Sequence, residues 1–346
     1  MTTTRVAPRA RRWLTALTVL SGVSCLVYWG LLAFFTDLHW FPTALAYSPR
    51  HGVYVLPLFT LVASSIARAR RHVAVSTAAL VFSALFVTGY ELPGACGEAT
   101  KGRSVVVLTQ NLAERDPTTA LDRLVTAHHP DVILLQECKL PNVPPESQDL
   151  LEGVLVGQPD YHLVLDWNAC ILSRFPIVKK LHRDRREVWK DGGSGVISLY
   201  ELETPMGNVW VQNVHLETIR EGLNGFRKYK TGGVQTTREA MAQRARESKL
   251  ALEWSEQATG PLIVAGDFNA VPESAYLRRD FGAFTDAFEE CGLGLGFTKD
   301  TKVGPLRYGA RIDHVLASQP WRVAAVDLAV DVGSDHRGVL ATVVLE

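Results

Sequence analysis

Six places in this 346-residue chain set chemically competent side chains where an apolar run stops or starts. Asn111 follows Ser104–Thr109, Glu137 follows Asp131–Gln136, and Asn213 with His215 closes the run from Asn208. Asp267 and Asn269 follow Leu262–Ala265, Asp313 lies near the start of Arg311–Ala317, and Asp335 and His336 precede Gly338–Leu345. A carboxylate and an amide two residues apart point the same way if the strand persists. Presented together, they can hold a hard cation or grip a phosphate oxygen. A histidine titrating near neutral pH can take a proton from water, and a neighbouring carboxylate fixes its tautomer. There is no Gly-x-Ser-x-Gly to supply a serine nucleophile. Taken singly, each residue also fits a turn or a solvated strand end. Together they suit metal-assisted attack by water on a phosphate.

Positioning such a set calls for strands whose ends meet. Leu262, Ile263, Val264 and Ala265, between Pro261 and Gly266, have the continuous apolar character of a strand buried on both faces. Ser104–Thr109 and Asp131–Gln136 read the same way, with a helix over Pro117–His128 between them carrying Leu121, Leu124 and Val125 on one side. Hairpins are expected at Tyr161–Leu165 with Ala169–Leu172, and at Ser194–Glu203 with Asn208–His215. Glu217–Gln235, with Arg220, Arg227, Lys228, Lys230 and several glycines, reads as a loop beside the site that greets an anionic substrate. A charged helix follows over roughly Thr236–Gln257, and further strands are expected at Arg311–Ala317, Val323–Val330 and Gly338–Leu345. Many strands and few helices predict an α/β fold of two packed sheets with helices outside.

The first 93 residues are different. They hold eight arginines against Asp37 and Glu91, leaving 28 basic and 34 acidic residues for the remainder. Trp13–Phe35, Gly52–Ala67 and His72–Tyr90 are uncharged apolar runs, read here as three membrane helices. Arginine clusters before the first run and between the second and third are expected in the cytoplasm, which places everything after Tyr90 outside. The expected division is a membrane anchor over 1–92, a linker over 93–103 and a catalytic domain over 104–346. Cys96, Cys138, Cys170 and Cys291 match no metal-ligand spacing and could form disulfides in an oxidising space.

The set of motifs resembles the endonuclease/exonuclease/phosphatase superfamily. The matching pieces are Thr109-Gln-Asn111, Leu135-Gln-Glu-Cys138, Ile171-Leu-Ser-Arg-Phe-Pro176, Asn213-Val-His-Leu216, Ala265-Gly-Asp-Phe-Asn269, Arg311-Ile-Asp-His314 and Ser334-Asp-His336, in the family's order. The resemblance implies a four-layer α/β sandwich and a divalent ion, Mg²⁺ or Mn²⁺, with Glu137 as main ligand helped by Asn111 and Asp335. It implies that Asp267 and Asn269 orient water and contact phosphate, and that His336 acts as base or phosphate-contacting imidazole, oriented by Asp313. His215 matches a histidine that assists the leaving group, for which Glu187 and Glu201 are the candidate partners. Asn213, Arg220, Arg227 and Lys228 are the expected substrate contacts.

The expected activity is phosphodiester hydrolysis, of a nucleic acid or of a phospholipid or sphingomyelin head group at the membrane surface, with phosphomonoesters as an alternative. A net acidic domain is unlike a protein that lives on non-specific DNA affinity, while a membrane tether favours a substrate near the bilayer. A catalytically inactive binding module is the contrasting class.

Overall fold

The computed structural model describes residues 8–94, 96–99, 102–113, 117–138, 160–166, 169–184, 196–229, 232–303 and 306–346. The chain divides into two units, Met1–Tyr90 and Glu91–Glu346.

The second unit is built on two six-stranded sheets. In chain order the strands are β1 (Ser104–Asn111), β2 (Val132–Gln136), β3 (His162–Asp166), β4 (Ala169–Ser173), β5 (Ile177–Asp184), β6 (Val196–Thr204), β7 (Gly207–His215) and β8 (Leu262–Asp267), followed by β9 (Thr285–Asp286), β10 (Lys299–Val303), β11 (Leu306–Ala310), β12 (Asp313–Ala317), β13 (Trp321–Leu328) and β14 (Val339–Leu345). One sheet runs β13-β14-β1-β2-β4-β3 and the other β5-β6-β7-β8-β12-β9, with β10-β11 a separate hairpin. Alternation along each strand sorts the side chains into three cores. Val105, Val107, Val132, Leu134, Val211, Ile263 and Ala265 fill the space between the sheets. Ile133, Leu135 and Leu108 face away from it, against Leu121 and Leu124 of the Pro117–His128 helix. Leu262, Val264 and Trp210 pack on the opposite outer face with Ala251 and Leu277, from helices Gly232–Ser255 and Ala275–Phe281. Helix, sheet, sheet, helix is the expected four-layer sandwich.

The predicted loop Glu217–Gln235 instead carries a helix, Arg220–Tyr229, and the charged helix expected from Thr236 starts earlier, as Gly232–Ser255. The glycines of this stretch are packing residues: a Cβ on Gly225 would press against the backbone of Gly233, so the two helices meet there backbone to backbone.

The first unit consists of α1 (Pro8–Phe35), α2 (Trp40–Ala46), α3 (Val55–Ile66) and α4 (Arg70–Phe82), the last continuing as a π-turn to Val87. Two helical stretches, Pro8–Phe35 and Arg70–Val87, are long and apolar enough to cross a membrane, rather than the three expected. The middle run fails on length. Its α-helix has 12 residues, about 18 Å at 1.5 Å per residue, against a hydrocarbon core of about 30 Å. A 3₁₀ turn at Arg50–Tyr54 precedes it, and Arg68, at φ 55°, follows it. Small hydroxyl residues are buried within this unit: Thr18, Ser21, Thr60, Ser64, Ser76 and Ser83. Ser76 Oγ donates to Thr60 Oγ1 at 2.9 Å and Ser83 Oγ to Cys25 Sγ at 3.2 Å. Trp13, Leu20, Leu26, Phe34, Leu58, Phe59 and Ile66 are exposed.

Residues after Tyr90 are fastened to the second unit. Glu91 and Gly294 exchange backbone hydrogen bonds of 2.8 and 3.0 Å, Gly94 N donates to Glu290 O at 2.8 Å, and Gly97 N donates to Val323 O at 2.8 Å. A disulfide joins Cys96 to Cys291, at the end of helix Ala287–Cys291.

Candidate active site

The site is the rim of the core between the sheets. The alternation that turns Val105 and Val107 inward continues to Thr109 and Asn111. On β2 it continues from Val132 and Leu134 to Gln136, and on β7 from Val209 and Val211 to Asn213 and His215. Register completes the row. His215 pairs with Asp267 across parallel β7 and β8, and Asp267 pairs with Asp313 across antiparallel β8 and β12. Three side chains therefore stand abreast on adjacent strands.

Two polar tiers result. In the lower one, Gln136 Nε2 donates to Asn213 Oδ1 at 2.7 Å and to Thr109 Oγ1 at 3.1 Å, while Asn213 Nδ2 donates to Leu135 O and Cys170 O. Asn213 is buried with both ends of its amide engaged, so it ties the sheets together instead of reaching substrate as expected. In the upper tier, Asn111 Nδ2 donates to Asp267 Oδ2 at 2.9 Å and to Glu137 Oε1 at 3.1 Å. His215 Nε2 lies 3.7 Å from Glu137 Oε1 and 3.8 Å from Asp267 Oδ2. His336 Nδ1 meets Asp313 Oδ2 at 3.0 Å, and its Nε2 stands 3.8 Å from Asp267 Oδ2 and 3.9 Å from Asp335 Oδ1.

Local backbone holds these positions. Glu137 and Asn269 both adopt left-handed φ, 52° and 48°, uncommon for residues other than glycine and a conformation that clusters at functional sites. Cys138, next to Glu137, is disulfide-bonded to Cys170 of β4. Asp267 Oδ1 accepts from Asn269 N at 2.8 Å, and Asn269 Nδ2 donates to Leu216 O at 2.9 Å. Gly266, at φ 153°, has no room for a Cβ, which would collide with the Val214 carbonyl. Thr298 Oγ1 accepts from Ile312 N and Asp313 N at 3.0 Å each, and Ser334 Oγ donates to Asn111 O and accepts from His336 N.

The charges at the rim are mutually dependent. Burial raises the Asp267 carboxyl above its ordinary value, and Asp313 adds to this, against the pull of His336 and His215. Burial lowers the His336 imidazole, but Asp313 and Asp267 outweigh it and leave the net shift upward. Burial raises Asp335 and is outweighed by the Lys299 ammonium, which forms an ion pair with it, so the net shift is downward. Asp267, Asp313 and His336 offer ligand atoms within 4.8 Å of one another. Oxygen donors dominate, and like charges crowd in a buried floor. That donor chemistry fits a hard divalent cation.

Glu137, Asn111, Asp267, Asp313, His215 and His336 are thus brought together. Asp335 joins them from the flank that carries Lys299 and lies close enough to Arg220 for that guanidinium to lower its pKa further. The side chains of Arg227 and Lys228 lie outside the described residues, as does Glu187. Glu201, the other candidate partner of His215, is eliminated by register: Val196 is the β6 residue opposite His215, and Glu201 faces Trp210 and binds Asn208. Among the described residues nothing bonds His215 Nδ1. Thr298 and Lys299 carry no sequence signal, and Gln136 lies in a matched motif without a predicted role, because the partners of each are distant in the chain.

The chain belongs to the endonuclease/exonuclease/phosphatase family, whose model matches residues 108–336. Members of this family are phosphoester hydrolases. Among solved structures, a family protein from Bacteroides thetaiotaomicron aligns at 18% identity and a TM-score of 0.51, over 71% of this chain and 100% of that one. A truncated TDP2 from Caenorhabditis elegans aligns at 20% identity and a TM-score of 0.50, over 71% and 100%. These identities establish a shared fold. No curated protein matches the chain in sequence.

Proposed function

We propose that the chain is a membrane-anchored, divalent-metal-dependent phosphodiester hydrolase that uses Mg²⁺ or Mn²⁺. The observation that carries this reading is the Asp313–His336 pair, 3.0 Å apart, facing Asp267. Glu137 and Asn111, with Asp267 or Asp335, would hold the ion. When bound, it would neutralise charge on the non-bridging oxygens and the leaving oxygen.

The chain's own residues supply the rest. Asp313 accepts from His336 Nδ1, which leaves Nε2 as the nitrogen that takes a proton from the attacking water. Asp267 and Asn269 orient that water and the phosphate. As the bond from phosphorus to the leaving oxygen breaks, His215 delivers a proton to that oxygen. General acid–base steps of this kind contribute roughly 10²–10⁴-fold each.

The anchor reading is supported by large apolar side chains on the outside of the first unit and hydroxyls inside it. An oxidising location for the second unit is supported by the Cys96–Cys291 and Cys138–Cys170 disulfides. These now carry the location, since two spanning helices from a cytoplasmic N-terminus would return the chain to the cytoplasm. A bilayer anchor also favours the head-group reading, a phospholipid or sphingomyelin phosphodiester, over nucleic acid.

The test is the full-length chain in detergent, with Mg²⁺ or Mn²⁺, against DNA, RNA, sphingomyelin, phosphatidylcholine and simple phosphomonoesters. Cleavage abolished by chelator is expected. Cleavage untouched by chelator would remove the metal, and no cleavage of any substrate would favour a binding module. Thiol alkylation in intact cells, with and without reductant, reports the compartment.

A further inference from the structure

Lys299 opens the β10–β11 hairpin, and its root is fastened to the loop carrying Asp335 and His336. Lys299 and His336 form an isolated β-bridge, Asp300 N donates to Asp335 O at 3.0 Å, and Arg337 N donates to Thr298 O at 2.6 Å. The lysine side chain is buried, its Nζ shut off from solvent and ion-paired with Asp335 Oδ2. The other oxygen of Asp335 lies 3.9 Å from His336 Nε2. The carboxylate therefore stands between the ammonium and the imidazole.

An ammonium carries three donors and no acceptor. Among the described residues, Asp335 is the only acidic partner of Lys299. Burying a cation with donors left over is costly, and an apolar side chain of similar volume would fill the space without that cost. Asp335 itself is half exposed, so it has water and does not require a buried counter-ion. The ammonium lies near enough to the imidazole that faces Asp267 to oppose its protonation. What such a position lacks is an anion with several oxygens.

We propose that Lys299 is a phosphate-contacting residue: held by Asp335, its ammonium donates to a non-bridging oxygen of the bound phosphoester. This rests on the phosphoester-hydrolase reading and adds a fixed cation on the Asp335 flank. It also separates the two flanks. Loss of Lys299 weakens the hold on phosphate, whereas loss of Glu137 weakens the hold on metal.

The experiment measures binding of inorganic phosphate by calorimetry to the full-length chain in detergent, at saturating Mn²⁺. Wild type is compared with Lys299→Met and Lys299→Arg, and Mn²⁺ affinity is titrated separately for each. Lys299→Met is expected to weaken phosphate by about 10- to 100-fold, the scale of a hydrogen bond to a charged group. Mn²⁺ affinity should change little, and Lys299→Arg should retain most of the phosphate binding. KM for bis(p-nitrophenyl) phosphate should rise in Lys299→Met. Should Lys299→Met not fold, Lys299→Gln, which lacks the charge, takes its place with the same expectation. Phosphate binding equal to wild type overturns the assignment, as does a loss that merely tracks lost Mn²⁺ affinity or a wild type that binds no phosphate. A wild type that binds phosphate through Lys299 but hydrolyses nothing removes the hydrolase reading and leaves this contact standing.

Discussion

The two units of the chain sort their side chains in opposite ways. In the second, Val107, Leu134, Ile263 and Ala265 are inside and large exposed apolar residues are few among the described residues; in the first, hydroxyls are inside while Leu26, Leu58 and Phe59 face outward. One arrangement is what water selects. The other gains nothing from water, and its small buried residues let helices approach closely, as they do in lipid. The chemistry follows the first arrangement. A water-selected sandwich has a core between its sheets, and where that core ends its inward alternation delivers polar side chains to one rim.

The largest effect that would sharpen this contrast comes from the rim. His336→Ala should slow turnover by about 10²–10⁴-fold while leaving Mn²⁺ affinity nearly intact. Glu137→Gln should lose activity that excess Mn²⁺ partly restores, and metal-titrated kinetics separate the two. Equal behaviour of both variants would mean that the rim does not divide metal holding from proton transfer.

The next test sets the two units against each other. Leu134→Ala, fully buried between the sheets, should cost about 2–5 kcal/mol of stability, read from denaturant unfolding of the chain in detergent. Leu26 is 54% exposed, and in a protein surrounded by water Leu26→Asp would stay within about 0.5 kcal/mol. In a bilayer the same change costs roughly 2.5–3.5 kcal/mol at the helix centre and should shift the chain out of the membrane fraction. Unchanged fractionation would break the comparison.

Smaller effects concern protons. Burial alone would put His336 below the ordinary histidine value of 6.5, and Asp313 with Asp267 brings it above. The neutral base therefore forms only at higher pH, so the acid limb of the rate profile should lie above 6.5. Asp313→Asn should move that limb downward and slow turnover; a limb that stays put would separate Asp313 from the base.

The smallest effect lies around Arg311. Its guanidinium reaches Asp286, Glu91 and Glu289 at 3.1, 3.2 and 3.5 Å. Burial and the Asp286 charge raise Glu289 to about 7. A carboxyl whose pKa is raised by folding stabilises the fold below its ordinary value of 4.5 and loses that contribution as pH climbs through about 7. Because the side chain is half exposed, solvent screens the effect. Relative to Glu289→Gln, the wild-type melting temperature should fall slightly across that window. A difference independent of pH would remove Glu289 from the titration.

Much of the rim was legible because apolar runs stop abruptly and period-two alternation carries on past their ends. Asn111, Glu137, His215, Asp267, Asp313 and His336 were found that way, and two packed sheets with helices outside followed from the same runs, the four layers being what the family resemblance implied. What escaped has physical reasons. Asn213 sits in the right motif, yet whether an amide faces substrate or the opposite sheet depends on Gln136, Leu135 and Cys170, all far away in the chain. Glycines in Gly222–Gly233 look like loop punctuation, whereas here they serve close helix packing. The edge strand Ile177–Asp184 carries Lys179 and Lys180 mid-run and lacks alternation. The second apolar run has a membrane helix's composition without its length, because α-helical geometry begins only at Val55.

The fastening of Glu91–Gly97 has a mechanical meaning. A pull arriving along the chain from the first unit meets the Glu91–Gly294 bridge and the Cys96–Cys291 bond before it can reach β1. That load passes sideways into helix Ala287–Cys291, whose neighbour Asp286 grips Arg311. The strand that ends in Asn111 is therefore unloaded, and the alignment of the rim is insulated from tension in the leash.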